Sequence, residues 1–290
     1  MIECAYSGGL YALNLAYKLI ASGRVNAALI GGCNILFKPQ VSEQFKGMSK
    51  LTNSNKTKSF SADADGFNRS EGCIVLFLQR AEFAKRSYGT IKNVLCYNAG
   101  SRRNNFPEFC SDSYVELLKS AYSSCGIDPS LVSYVEADGT AIRRVDALEL
   151  NSLAEVMCGT KRKTPLLVGS VKSNLGHFEG ASSLISIAKA IIALKCSRIP
   201  PNLHFTAPNP DVPALFNGKM KVVTDSTPLT GDVVGVNVVD LSGCYGHVII
   251  QQNSKAKSQS VDLDTNIPIL LNISGRSETK LENVISKVLQ

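Results

Sequence analysis

The sequence predicts an α/β protein whose sheet is covered by helices on both faces. Two observations carry that expectation. Short apolar, β-branched runs alternate along the chain with amphipathic stretches of helical period. In addition, 44% of the 290 residues are hydrophobic and 19% charged, which supplies a large core and is far from the composition of a disordered chain.

The elements follow in order. Leu10, Leu13, Ala16, Tyr17 and Ile20 share one face at helical spacing, and Gly23 stops that helix. Residues 27–32 read as a buried strand, 46–68 as a long polar loop, and 73–78 and 91–97 as strands. A helix over 113–125 is closed by Gly126, and Asp128-Pro129 opens the next segment. Strands are expected at 132–137, 166–170, 233–239 and 246–250, with helices at 146–157 and 178–194. Residues 255–266 are polar and read as a linker; 267–274 and 278–289 read as a fresh strand and helix that begin another region.

Several function classes lose support at this level. The longest apolar run, 184–194, is interrupted by Ser186 and Lys189 and is too short to span a bilayer. The opening residues lack the basic and apolar regions of a signal peptide, so a cytoplasmic protein without a membrane partner is expected. Nine cysteines are scattered singly with no CxxC pair, which argues against a disulfide framework and against a metal centre. They read as buried free thiols. The net charge is +7, but its clusters (Arg102-Arg103, Arg143-Arg144, Lys161-Arg162-Lys163) are short and lack interleaved aromatics, so they read as solvated loops and no nucleic-acid partner is expected.

Three stretches follow strand ends, where α/β sheets keep their sites. The opening "ECAYSGGLYAL" reads as a strand end, a turn of small residues and a helix start, a junction that holds one side chain out above a sheet. The second is "VEADGTAIRRVDALEL", residues 135–150, and the third "VGSVKSNLGHFEGASS", residues 168–183. In the third, Lys172 and His177 precede a buried helix. A histidine there can hydrogen-bond a substrate carbonyl beside a charged lysine, although a lone histidine at a helix start is more often structural.

Taken together, these stretches resemble the β-ketoacyl synthase (ketosynthase) family, closest to the ketosynthase domains of animal-type fatty acid synthases and related polyketide synthases. The family's third motif stands complete as Val171-Lys172-Ser173-Asn174-Leu175-Gly176-His177-Phe178-Glu179. Agreement extends to Gly47-Met48, to "ADGFNRSEG" at 64–72 and to "IPPNLHF" at 199–205. The resemblance covers about residues 2–252, and "IPILLNISGR" at 267–276 looks like the linker toward an acyltransferase region. It implies a thiolase-like, layered αβαβα fold of two similar halves. Residues 1–85 would be the end of the first half, 86–252 the second half, and 253–290 the linker and acyltransferase-side start, making the chain an incomplete piece of a ketosynthase.

The family's reaction, as the resemblance implies it, begins with a cysteine that takes an acyl chain from a thioester. Two histidines then hold the malonyl thioester oxygen while carbon dioxide leaves, and the carbanion attacks the acyl group. Substrates ride as phosphopantetheine thioesters on acyl carrier protein, no cofactor belongs to the domain, and the full-length protein is expected as a homodimer. Aligned on Leu10, the cysteine position is Tyr6, with Cys4 two residues earlier; the first histidine position is Asp138. Lys172 and His177 match. One family glycine is Ala141, and Asp146 is kept. The glycine-rich turn that shapes the oxyanion hole is Asp240-Leu241-Ser242-Gly243, which puts Leu241 and Gly243 at substrate-binding positions; if the two replaced glycines needed positive φ, the loop must differ.

These departures have direct chemical meaning. A phenol of ordinary pKa, about 10, is ionised in roughly one molecule in a thousand at pH 7. A rigid ring also fills space an acyl chain would enter. An ionised carboxylate can only accept hydrogen bonds and repels an oxyanion, and losing one such donor typically removes about 2.7–4 kcal/mol of transition-state stabilisation. The sequence therefore reads as a catalytically impaired ketosynthase-like piece, in which Tyr6, Asp138 and His177 should converge. Two alternatives stand beside it: a non-enzymatic scaffold or module that binds acyl carrier protein or an acyl thioester, and an active acyltransferase that has recruited another thiol, such as Cys4.

Overall fold

The chain passes from a 3-10 turn, Ala5–Ser7, straight into helix α1 (Gly8–Ala21), and Gly9 lets that helix lie close to its neighbours, since a Cβ there would stand 2.7 Å from the Ser183 Oγ. The computed structural model describes residues 1–2, 4–98, 111–240, 243–253 and 277–288. After α1 come β1 (Ala27–Asn34), α2 (Pro39–Gly47), β2 (Gly72–Gln79) and β3 (Thr90–Asn98). Helix α3 (Ser111–Cys125), β4 (Val132–Glu136), α4 (Arg143–Met157), β5 (Leu166–Gly169) and the one-turn α5 (Lys172–Leu175) follow. Then come α6 (Ser182–Cys196), β6 (Arg198–Ile199), β7 (Met220–Val222), β8 (Thr227–Pro228), β9 (Val233–Val239) and β10 (Cys244–Gln251). These elements belong to a compact unit, Met1–Ala256; a second unit, Lys257–Gln290, holds α7 (Glu278–Val288).

A six-stranded sheet of order β3-β10-β9-β4-β5-β7 forms the centre. Its β3-β10-β9 side is antiparallel and its β9-β4-β5-β7 side parallel. All seven residues of β9 are buried, as expected of a strand covered on both faces. Val234, Val236 and Val238 pack with Leu10 and Leu13 of α1 and with Leu184 and Ile187 of α6. Val233 and Val239 pack on the opposite face with Leu118 of α3 and Leu150 of α4. Gly246 in β10 makes the α1 side possible: a Cβ there would lie 1.9 Å from the Leu10 Cδ2.

Strands β1 and β2 pair antiparallel as a separate two-stranded sheet, in register from Ala27–Gln79 to Asn34–Gly72. Its inner side chains, Ile30, Ile74 and Leu76, join the core around α1 and α6. On the outer face Leu29 is 74% and Phe77 62% exposed. The described residues thus supply four layers in the order helix, sheet, helix, sheet, out of the five expected.

Most elements fall where the sequence puts them, and the differences have local causes. The helix expected from 178 starts at Ser182, because Glu179 takes a left-handed φ of +46° and a 3-10 turn, Glu179–Ala181, intervenes. Helix α2 lies in a stretch without clear apolar periodicity, and none of its residues is buried. Strand β7 spans three residues, too few to show a period. The expectation of buried thiols holds for Cys158 and Cys244 but fails for Cys33, Cys73 and Cys196, which are exposed. Cys33 and Cys73 sit opposite one another across β1 and β2, and Cys196 ends α6. Cys110, the linker over 255–266 and the strand over 267–274 lie outside the described residues. Among the described residues no helix is long and apolar enough to cross a membrane, and no group of three or more His, Cys, Asp or Glu could hold a metal ion.

Candidate active site

Four segments meet at one end of the central sheet, and two of them are strand-to-helix junctions, after β4 and β5. The turn before α1 has no strand ahead of it among the described residues, unlike the strand end expected there, and His177 follows helix α5. The first presents Tyr6, whose turn is set by Ala5 at a left-handed φ of +37°. Asp240, at the end of β9, anchors this junction. One carboxylate oxygen accepts from the Ser7 backbone N–H and from the Ser7 hydroxyl, both at 3.0 Å, at the N-terminus of α1 where a negative charge is favoured. Asp240 keeps a negative φ, so this residue fits the turn without glycine's freedom; Gly243 carries the left-handed φ of +79° and donates its N–H to the Asp240 carbonyl at 3.1 Å. Leu241 and Ser242 lie outside the described residues.

The second junction follows β4. Glu149 of α4 accepts the backbone N–H groups of Asp138 at 2.7 Å and Gly139 at 3.0 Å, and Asn237 of β9 donates to the same carboxylate at 3.1 Å. Asp146, one turn earlier on α4, accepts the Phe60 N–H at 2.8 Å. Burial is the main reason both carboxyls titrate high, Asp146 at about 8 and Glu149 at about 7. Within this turn Ala141 holds a φ of +58°, a conformation that disfavours any residue with a Cβ by about 1–2 kcal/mol.

Asp138 itself points to the third junction, where α5 follows β5. Its carboxylate lies 2.8 Å from the Lys172 ammonium, which also donates to the Asp138 main-chain carbonyl at 2.9 Å. Both side chains are almost completely buried. Burial raises the Asp138 pKa, and the charge and hydrogen bond of Lys172 oppose that rise.

His177 occupies the fourth position. Gly176 reaches it through a φ of +85°, and a Cβ at Gly176 would lie 2.3 Å from the Ser70 Oγ. The His177 N–H donates to the Asn68 carbonyl at 2.7 Å, and its own carbonyl accepts from the Ser70 N–H at 2.9 Å. Its Nδ1 accepts the Glu179 backbone N–H at 2.9 Å, which places the proton of the neutral ring on Nε2. Burial first, then the charges of Lys172 and Arg69, hold the imidazole pKa well below its ordinary value.

The rings close the site. Tyr6 packs edge-on against His177 with centroids 4.6 Å apart, and Phe67 covers the same imidazole at 4.4 Å. Tyr6 is 9% exposed, and burial, with the carboxylates of Glu179 and Asp240, pushes its pKa well above that of a free phenol. The arrangement therefore joins Tyr6 to His177 and Asp138 to Lys172. It offers one neutral N–H donor at His177, a lysine neutralised by its own carboxylate neighbour, and no ionised nucleophile at position 6. Sequence reasoning missed the roles of Phe67, Glu149 and Asp240. Glu149 had a signal, since it shares a helix face with Asp146 at a spacing of three.

Comparison with known proteins returns one family. Residues 1–84 match the profile described as β-ketoacyl synthase, N-terminal domain, and residues 88–206 that of the β-ketoacyl synthase C-terminal domain. Residues 208–290 match the ketoacyl-synthetase C-terminal extension. The chain is 42% identical over 199 residues to a fatty acid synthase of Anser anser anser, covering 67% of this chain and 55% of that protein. It is 34% identical over 264 residues to a phenolphthiocerol/phthiocerol polyketide synthase of Mycobacterium tuberculosis, covering 88% of this chain and 14% of the relative. The ketosynthase from module 6 of the Bacillus subtilis bacillaene synthase superposes with a TM-score of 0.83 at 25% identity, over 99% of this chain and 51% of that structure. The thiolase-like fold expected from the sequence is thereby borne out, with this chain spanning about half of the solved ketosynthase.

Proposed function

The chain belongs to the β-ketoacyl synthase family, and from that premise we propose that it is a ketosynthase-type domain that keeps the site's framework but does not form an acyl-enzyme. The observation that carries this reading is the Tyr6 ring, packed 4.6 Å from His177 at the position where the family holds its nucleophile. A buried phenol with a raised pKa is a poor acyl acceptor. Asp138 supports the same conclusion, since a carboxylate paired with Lys172 offers no proton to an oxyanion.

What remains is one hydrogen-bond donor of the kind that holds a thioester carbonyl, buried beneath the Tyr6 and Phe67 rings. The Nε2–H of His177 is a donor, and the Arg69–Glu179 ion pair at 2.6 Å braces the segment that carries it. The partner we propose is an acyl carrier domain bearing a phosphopantetheine thioester, bound without transfer of its acyl group. Recruitment of Cys4 as the nucleophile is disfavoured, because burial raises its pKa and its thiol faces another thiol.

Mass spectrometry of the protein after incubation with acetyl and malonyl thioesters tests the proposal. The expected spectrum contains only the unmodified mass. A covalent acyl adduct on Tyr6 or Cys4 would overturn it.

A further inference from the structure

The elbow that presents Tyr6 and the turn between β9 and β10 are tied together at two points. One is the pair of hydrogen bonds from Ser7 to Asp240. The other is a meeting of thiols: the Sγ atoms of Cys4 and Cys244 lie 3.8 Å apart, though 240 positions separate them in sequence. Cys4 is half-buried and Cys244 buried. The Asp240 carboxylate holds Ser7, and backbone hydrogen bonds of 2.9 Å join Ser7 to Cys4 and Asp240 to Cys244, so both cysteines are tied to the same contact. Bond formation needs them to close from 3.8 Å to about 2.05 Å, a movement within reach of side-chain rotation.

We propose that Cys4 and Cys244 are a modification site: an oxidisable thiol pair that a hydroperoxide converts to a disulfide, covalently fastening the start of β10 to the elbow. The Cys4 thiolate, more accessible than its partner, attacks the O–O bond. An S–O bond forms, the O–O bond breaks, and the alkoxide or hydroxide leaves and takes up a proton, giving a sulfenic acid. The Cys244 thiolate then attacks that sulfur, the S–S bond forms, and hydroxide leaves as water. Two thiols lose two electrons to one hydroperoxide, yielding one disulfide, one alcohol (or water, from hydrogen peroxide) and one water. Burial and the neighbouring Cys244 raise the Cys4 pKa, so the reaction is slower than at an activated thiol.

The proposal is independent of whether the site condenses acyl groups. Its test uses the whole chain, treated with hydrogen peroxide, alkylated, and digested with trypsin. Residues 1–18 and 222–255 each contain a single cysteine, so a cross-link between those two peptides identifies the pair without ambiguity. The expected result is that cross-linked peptide, lost after reduction with dithiothreitol. In Cys4→Ser, Cys244 should remain alkylatable at the same peroxide dose; Cys244→Ala provides the reciprocal measurement if the first variant folds poorly. Recovery of both Cys4 and Cys244 as alkylated thiols, at a dose that oxidises the exposed Cys33, would overturn the proposal. A cross-link from Cys4 to any other cysteine would overturn it equally.

Discussion

Lys172–His177 and Tyr6–Asp138 stand on opposite sides of the same site and have been treated differently. The Lys172–His177 side keeps the family's motif residue for residue. On the proposed reading, the other side carries an aromatic ring where the family holds its nucleophile and a carboxylate where the family holds a hydrogen-bond donor. Yet the exchanged side is not left with broken contacts: Asp138 takes the Lys172 ammonium at 2.8 Å, and Asp240 takes both donors of Ser7 at 3.0 Å. Each new carboxylate has found a cation or a helix N-terminus to neutralise it. On that reading, the difference teaches that replaced residues can have their charge compensated even where one buried oxygen, the Oδ2 of Asp138, makes no hydrogen bond.

Reversing the exchange should give the largest effect. In Tyr6→Cys with Asp138→His, the thiol and the second donor return beside Lys172 and His177. Decarboxylation of a malonyl thioester by the double variant should exceed the sum of the two single variants, since residues that act as a unit are non-additive and one oxyanion donor is worth about 10²–10³-fold. Carbon dioxide release from labelled malonyl thioester reads this out. Equal rates in Tyr6→Cys and the double variant would show that Asp138 does not face the reaction path.

Stability should next report the buried pair. Asp138→Leu strands the Lys172 ammonium, and removing one partner of such a pair destabilises by about 3–5 kcal/mol. Urea unfolding should show that loss, and adding Lys172→Met to Asp138→Leu should recover most of it. If Asp138→Leu is neutral, the two sides of the site are less coupled than their geometry states. A smaller decrease, about 1–2 kcal/mol, is expected for Asp240→Ala by the same measurement, as for removal of a helix cap.

Ala141→Gly should do least. Relief of the left-handed strain at φ +58° is worth about 1–2 kcal/mol, whereas the lost buried methyl and the added chain entropy of glycine together oppose it by a similar amount. A shift within about 0.5 kcal/mol of zero is expected. A stabilisation of several kcal/mol would mean that the Asp138 turn is held under more strain than this one dihedral.

The sequence carried the parts of the site that are local. Lys172 through Glu179 could be read as a motif, and the valines of β9 as a strand, because period and spacing are properties of neighbouring residues. Asp240 and Ser7 are 233 positions apart, and Asp138 and Lys172 are 34 apart. Nothing in the vicinity of either residue announces its partner. The aromatic cover of Phe67 over His177 was hidden for the same reason. Helix α2 was missed because its inner face carries only Val41 and Phe45, the latter 6.2 Å from the Tyr6 ring, and two apolar residues are too few to set a period.

Gly246 against Leu10 carries a consequence for how the molecule is made. Helix α1 rests mainly on β1, β3 and α6, but its Leu10 tip is seated on Gly246 of β10, and the strand order places β3 against β10 rather than against any strand nearer in sequence. Translation at about 5–20 residues per second separates the synthesis of Cys4 from that of Cys244, 240 positions on, by roughly 12–50 s. During that interval the apolar face of α1, with Leu10 and Leu13, has no β10 to cover it. The Leu10 patch of α1 therefore stays uncovered on its β10 side until residue 246 has been made, although β1, the strand that follows α1, can pack against the helix much earlier.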